Sequence, residues 1–144
     1  RLVLQGAEII FNLSADNEGV GKQDYLKALL AQQSARCLAG YVFSGAGFGE
    51  STQDVVFAGK ALIYENGVLL AENERFSFKE QLVYSEIDVE CLRAERRVNT
   101  TFSASVARLK SHDVIQIDTE LFASKNIELS RKSIRCLLFR QERH

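Results

Sequence analysis

The side chains able to act as soft nucleophiles or metal ligands are few: three cysteines and two histidines in 144 residues. Cys37 lies in Ser-Ala-Arg-Cys-Leu-Ala-Gly, Cys91 in Val-Glu-Cys-Leu-Arg-Ala-Glu and Cys136 in Ile-Arg-Cys-Leu-Leu-Phe. None is within four residues of another, so the Cys-x-x-Cys spacing of a zinc or dithiol site is absent. His112 and His144 alone do not complete a zinc set, and no metal site is expected. The thiols are expected as buried, reduced side chains of a cytoplasmic protein, behaving as small hydrophobes. A second chemical candidate is Gly45-Ala46-Gly47-Phe48-Gly49-Glu50-Ser51-Thr52. Glycine-rich loops hold phosphate when G-x-G-x-x-G opens a helix, or when a P-loop ends in Lys-Ser/Thr. This run reads G-A-G-F-G-E, with an acid where the phosphate would sit, and nucleotide binding is not expected of it.

The elements that must position such residues follow from the patterning. Glu8 to Leu13, apolar and rich in β-branched residues, reads as a buried strand. The polar loop Ser14 to Gly21 follows. From Lys22 to about Leu38 the pattern is helical, with Leu26, Leu29, Leu30, Gln33 and Cys37 on one face. Strand, loop and helix in that order is α/β grammar, and ligands usually meet such folds at that loop. Gly40 to Ser44 is a second strand. In Lys60 to Glu72, Asn66-Gly67 between two apolar runs predicts a hairpin with a type I′ turn. Gln81 to Val89 alternates with period two and reads as a strand. Val89 to about Val98 reads as a charged helix whose Glu90, Arg93, Glu95, Arg96 and Arg97 form a solvated or subunit-facing surface. Signals weaken after Asn99, with one last strand at Val114 to Ile117. The result is a layered α/β domain with a mixed sheet.

Composition narrows the function classes. Eighteen Lys and Arg against nineteen Asp and Glu leave a net charge of −1, no basic field for nucleic acid or an anionic membrane. No run approaches the roughly 20 apolar residues of a membrane span. Proline and methionine are both absent, although average usage would supply roughly seven prolines. With Arg-Leu-Val-Leu at its start, the chain is expected to be a piece of a longer polypeptide.

Three stretches, GAEIIFNLSADNEGVGK, QQSARCLAGYVFSGAGFGESTQDVVFAG and ALIYENGVLLAENERF, together resemble the glutamine-dependent NAD synthetases, in the later half of their nitrilase-like glutaminase domain. The likeness covers about residues 5 to 101. It implies the C-terminal half of an αββα sandwich over residues 1–101, and over residues 102–144 a linker toward a synthetase domain that the sequence lacks. The implied whole enzyme hydrolyses glutamine to glutamate and ammonia and uses the ammonia to amidate deamido-NAD at the expense of ATP. ATP, Mg and deamido-NAD belong to that missing domain, and no cofactor is expected in this chain. Enzymes of this kind form large homo-oligomers, and their glutaminases use a Glu-Lys-Cys triad. The family's nucleophile is followed by Glu-Asp and an aromatic, shortly before the segment matching Gly6-Ala7-Glu8. It therefore falls upstream of Arg1, the neighbours of Cys37, Cys91 and Cys136 do not fit, and the chain alone is expected to be inactive.

What the resemblance leaves here is one wall of a glutamine site. Glutamine carries an ammonium and a carboxylate at its α-carbon, so the wall needs an acceptor and a cation. Asp16 and Lys22, six positions apart, match substrate-contacting positions that are commonly Ser and Arg in the family. Lys in place of Arg loses a bidentate fork. Their local alternatives are a turn closed by Asp16 and a solvated Lys22 at a helix start. Ser14 is adjacent and is a third candidate for the glutamine pocket, with a turn-forming hydroxyl as its local alternative, and Glu50 and Ser51 on the glycine-rich loop are candidates for a supporting role behind the pocket. Where relatives continue into a Pro-rich phrase, this chain has Ile134 to Gln141, the residues that such a coding run gives when read one base late, so a frameshift is expected there. Two other readings stand beside this one: a non-catalytic subunit-contact module, and a piece of another nitrilase-superfamily amidase.

Overall fold

The computed structural model describes residues 1–50, 54–109, 115 and 117. A 3₁₀ turn, Leu2–Gln5, leads into β1, Ile9–Ser14. Helix α1, Lys22–Cys37, carries the chain back to β2, Gly40–Gly45, which lies parallel to β1 with Ile9 opposite Gly40 and Ser14 opposite Gly45. A parallel pair needs such a crossover. Strands β3, Ala61–Glu65, and β4, Val68–Glu72, form the hairpin, and the sheet order is β1-β2-β3-β4 with the last two pairings antiparallel. This is the mixed α/β layer that the patterning predicts.

The hairpin tip explains its own sequence. Asn66 and Gly67 have φ of 44° and 84°, both positive as a type I′ turn demands. The tip also bears on α1, since a Cβ on Gly67 would lie 3.0 Å from that of Ala35. Beside it the fully buried Ser34 hydroxyl donates to Ala39 O at 2.7 Å and accepts from the Gly67 N–H at 3.2 Å. One side chain thus joins helix, strand entry and turn. The core between α1 and the sheet is Leu26, Leu30, Phe43, Leu62 and Tyr64, with Ala31, Tyr41 and Leu69 against it. The helix buries Leu26, Leu30 and Ser34 rather than the expected Leu29, Gln33 and Cys37, because it leans over β2, β3 and β4 and away from the β1 edge.

Helix α2, Val89–Val98, puts Leu92 into the molecule at 1% exposure, and Asp88 caps it by accepting from Cys91 N at 2.8 Å. Arg96 is not a solvated residue. Half-buried, it donates to Leu38 O at 2.9 Å and Ala7 O at 2.8 Å, satisfying carbonyls at the end of α1 and ahead of β1. Burial lowers its pKa against the pull of Glu8 and Cys37. Arg93 does behave as a surface cation, paired with Glu8 and Glu90.

Three further expectations change. Residues 81–88 are not a strand; Leu82 and Tyr84 stand exposed, and with no neighbouring strand among the described residues their alternation has no ladder to join. β1 is not buried on both faces: it is a sheet edge, with Phe11 and Leu13 at 72% and 83% exposure. After Asn99, a third helix appears, α3, Thr100–Ala107, capped by Asn99 Oδ1 on Phe102 N. Cys37 and Cys91 are half-buried rather than fully buried. Cys136, the Ile134 to Gln141 stretch and most of Val114 to Ile117 lie outside the described residues.

Candidate ligand-binding site

The parallel strands finish side by side at Ser14 and Gly45, and two loops rise beyond them, residues 15–21 and a second one described over 46–50 and 54–60. In the second loop the backbone closes on itself. Ala46 N donates to Ser14 O, Gly59 N to Ala46 O and Gly45 N to Lys60 O, at 2.9, 2.9 and 2.7 Å. A Cβ on Gly47 would sit 3.2 Å from Gly59 Cα, so this glycine lets two limbs of backbone touch. The glycine enrichment has a packing cause. Glu50 is exposed and accepts from Gly47 N at 3.0 Å, which spends it on closing its own loop. Ser51 lies outside the described residues.

Loop 15–21 is organised around Lys22. Its ammonium lies 2.6 Å from Asp16 Oδ1, 2.6 Å from Asn17 O and 3.2 Å from Asn17 Oδ1. An ammonium has three hydrogens to give, and three acceptors surround this one. Ser14, Asp16 and Lys22 share the wall of one groove of about 420 Å³ with Tyr25 and Asn12, over a floor of Leu26, Leu29, Leu30 and Phe43. Asn12 Nδ2 donates to the Tyr41 hydroxyl at 3.1 Å at the same wall. The structure therefore brings three of the sequence candidates together, with Asp16 and Lys22 bonded to each other, and leaves Glu50 off that groove.

Sequence reasoning misses a second, deeper pair. Glu18 Oε2 lies 2.7 Å from Lys60 Nζ, with both side chains only 9% exposed, and Arg75 stands 3.8 Å from the same oxygen. Burial pushes the Glu18 carboxyl up, but the hydrogen bond and charge of Lys60, the Gly19 N–H and Arg75 outweigh it and hold the pKa below its ordinary 4.5. Local spacing carries no signal for this pair, because a whole helix and strand separate its members in sequence. Among the described residues no group of three or more His, Cys, Asp or Glu side chains could hold a metal ion, and no helix is long and apolar enough to cross a membrane.

A groove at strand ends with a charged mouth and a largely apolar floor, built on a strand–loop–helix unit, suits a small ligand that bears charge at one end. No protein-family model matches the sequence. The chain is 44% identical over 100 residues to the glutamine-dependent NAD(+) synthetase of Mycobacterium leprae (strain TN), a match spanning 69% of this chain and 15% of that protein. It is 43% identical over 99 residues to the same enzyme from Mycobacterium tuberculosis (strain ATCC 25618 / H37Rv), with the same shares covered. In structure it is similar to the glutamine-dependent NAD(+) synthetase from Cytophaga hutchinsonii, with a TM-score of 0.51 and 30% identity over 54% of this chain and 13% of that one. The carbon-nitrogen hydrolase from Helicobacter pylori G27 matches in fold, with a TM-score of 0.55 and 20% identity over 71% of this chain and 39% of that one. The chain spans only about 15% of the curated relatives it matches. By sequence, then, it is related to one stretch of the glutamine-dependent NAD(+) synthetases, and in fold it is similar to part of the Helicobacter pylori carbon-nitrogen hydrolase.

Proposed function

We propose that this chain forms one wall of the glutamine site in the glutaminase part of a glutamine-dependent NAD synthetase. The observation that supports it most is the placement of a carboxylate and an ammonium, Asp16 and Lys22, at one groove mouth beyond the parallel strands. The α-carbon of glutamine bears the same two charges. Asp16 and Lys22 pair with each other; on binding, the ligand ammonium replaces Lys22 at Asp16 and the ligand carboxylate replaces Asp16 at Lys22. Because both side chains are partly exposed, the exchange costs little: a solvated ion pair is worth about 0–1 kcal/mol. Ser14 supplies a hydroxyl beside them. Orientation of the substrate is this chain's part. Attack on the carboxamide, giving glutamate and ammonia from glutamine and water, belongs to groups outside residues 1–144.

On the same reading residues 1–101 are the glutaminase portion and residues 102–144 a linker. The complete enzyme is cytoplasmic and homo-oligomeric, and binds ATP, Mg and deamido-NAD elsewhere. The test is ammonia release from L-glutamine by the complete product of the gene. Asp16→Ala and Lys22→Ala are expected to raise KM for glutamine. Unchanged kinetics in both would leave the groove without this role, and deamidation by the 144-residue chain through its own thiols would overturn the division of labour. The bare face at Phe11 and Leu13 favours a second contribution, a contact surface. Size-exclusion chromatography of the chain is expected to show a dimer or larger species, and a clean monomer at micromolar concentration would remove that contribution.

A further inference from the structure

We propose that Glu18 and Lys60 are positioning residues for the ligand loop: their buried ion pair fixes the Asn17–Glu18 peptide, and through it the Asp16–Lys22 pair that receives an α-amino acid. The identity of that ligand rests on the glutamine-site reading; the relay itself does not.

The relay runs through one peptide unit. Its N–H, on Glu18, donates to Val56 O at 2.7 Å, and its carbonyl, on Asn17, accepts from Lys22 Nζ at 2.6 Å. Rotating this plane would therefore break the tether to the second loop and remove one of the three acceptors around Lys22. The Glu18 carboxylate resists such rotation, held by Lys60 at 2.7 Å and by the Gly19 N–H at 3.3 Å. Lys60 is itself anchored, since its carbonyl accepts from Gly45 N at the end of β2. The ligand loop is thereby registered to the sheet by charge as well as by backbone.

Stability alone does not explain a buried pair here. Taking two charges out of water costs about as much as their attraction returns, and an apolar pair of equal volume often serves as well. What a directional pair adds is a single arrangement, and residues 15–21 lack the ladder bonds that would otherwise supply one. The space beside Asp16, Asn17, Glu18 and Lys60 is about 10 Å³, at the lower limit for one water, so the pair meets with little room for solvent between the loops.

The relay is tested on the isotope-labelled 144-residue chain by following the Lys22 ammonium signal and its response to Asp16→Asn. A clear response is expected in the parent chain and loss of it in Glu18→Gln and Lys60→Met, with the β2 and β3 amide signals unmoved. A response that survives both substitutions overturns the proposal. Should Lys60→Met unfold the chain, Glu18→Gln, which keeps shape and removes only charge, decides. In the complete gene product, Glu18→Gln is expected to raise KM for glutamine about ten-fold with kcat nearly unchanged, within the range that a misplaced binding group costs. If Asp16→Ala and Lys22→Ala raise KM while Glu18→Gln does not, the relay fails and the glutamine reading stands. If none of the three alters KM, the glutamine reading fails, and the Lys22 signal judges the relay.

Discussion

At the end of the sheet where β1 and β2 begin, Ser34 and Arg96 bond to backbone groups of Ala7, Leu38, Ala39 and Gly67. At the end where the same strands finish, Asp16 with Lys22 and Glu18 with Lys60 bond largely to one another. Side chain–backbone bonds at the first end satisfy groups that would be costly to leave unpaired, and no incoming molecule offers a better partner. Charge pairs at the second end can be exchanged for charges brought by a ligand. The contrast teaches that one small sheet separates holding from receiving, and that burial grades the second end: the outer pair is free to exchange and the inner pair is fixed.

The largest test concerns the holding end. Leu92→Ala is expected to cost about 2–5 kcal/mol in urea unfolding, because Leu92 is 1% exposed and its removal leaves a cavity under α2. A loss below about 1 kcal/mol would mean that α2 does not brace the sheet. Next in size is Ser34→Ala, at about 1–3 kcal/mol, since it strips a partner from a buried carbonyl and from the turn N–H together.

The intermediate effect depends on pH. The Glu18 pKa lies lower in the folded chain than in the unfolded one, so ionised Glu18 stabilises the fold at pH values above the ordinary 4.5. That contribution fades as the pH falls through the depressed folded value. The difference in stability between the parent and Glu18→Gln should accordingly be full at neutral pH and vanish in acid. A pH-independent difference would sever the inner pair from its assigned role. Smallest of all, Asp16→Ala should change unfolding free energy by about 0.2–1 kcal/mol, as partly exposed pairs do. If it cost as much as Ser34→Ala, the two ends would be held alike and the contrast would be lost.

Much of this was legible because local rules agreed with the fold. The strand–loop–helix unit, β2 and the Asn66–Gly67 turn each follow from patterning within a few residues. Asn99 ahead of α3 is a cap signal, but the following Thr-Thr-Phe-Ser lacks the apolar period that would mark a helix. Residues 81–88 mislead in the opposite way, since their alternation meets no partner strand among the described residues. Arg96 looks like its neighbours Arg93 and Arg97 in sequence, and only the helix phase turns it toward the carbonyls of Leu38 and Ala7. At the receiving end, Ser14, Asp16 and Lys22 are close in sequence and could be read together. Glu18 and Lys60 meet only after α1 and β2 have folded between them, so no window of sequence contains the pair.

Hairpin tips are customary places to insert a tag or a foreign peptide, because they usually project into solvent. The Asn66–Gly67 tip does not, since its glycine is pressed against Ala35 and is bonded to Ser34. An extra residue there would act as a wedge, levering α1 off the strands beneath it and loosening the whole layer at the site where grafting looks safest.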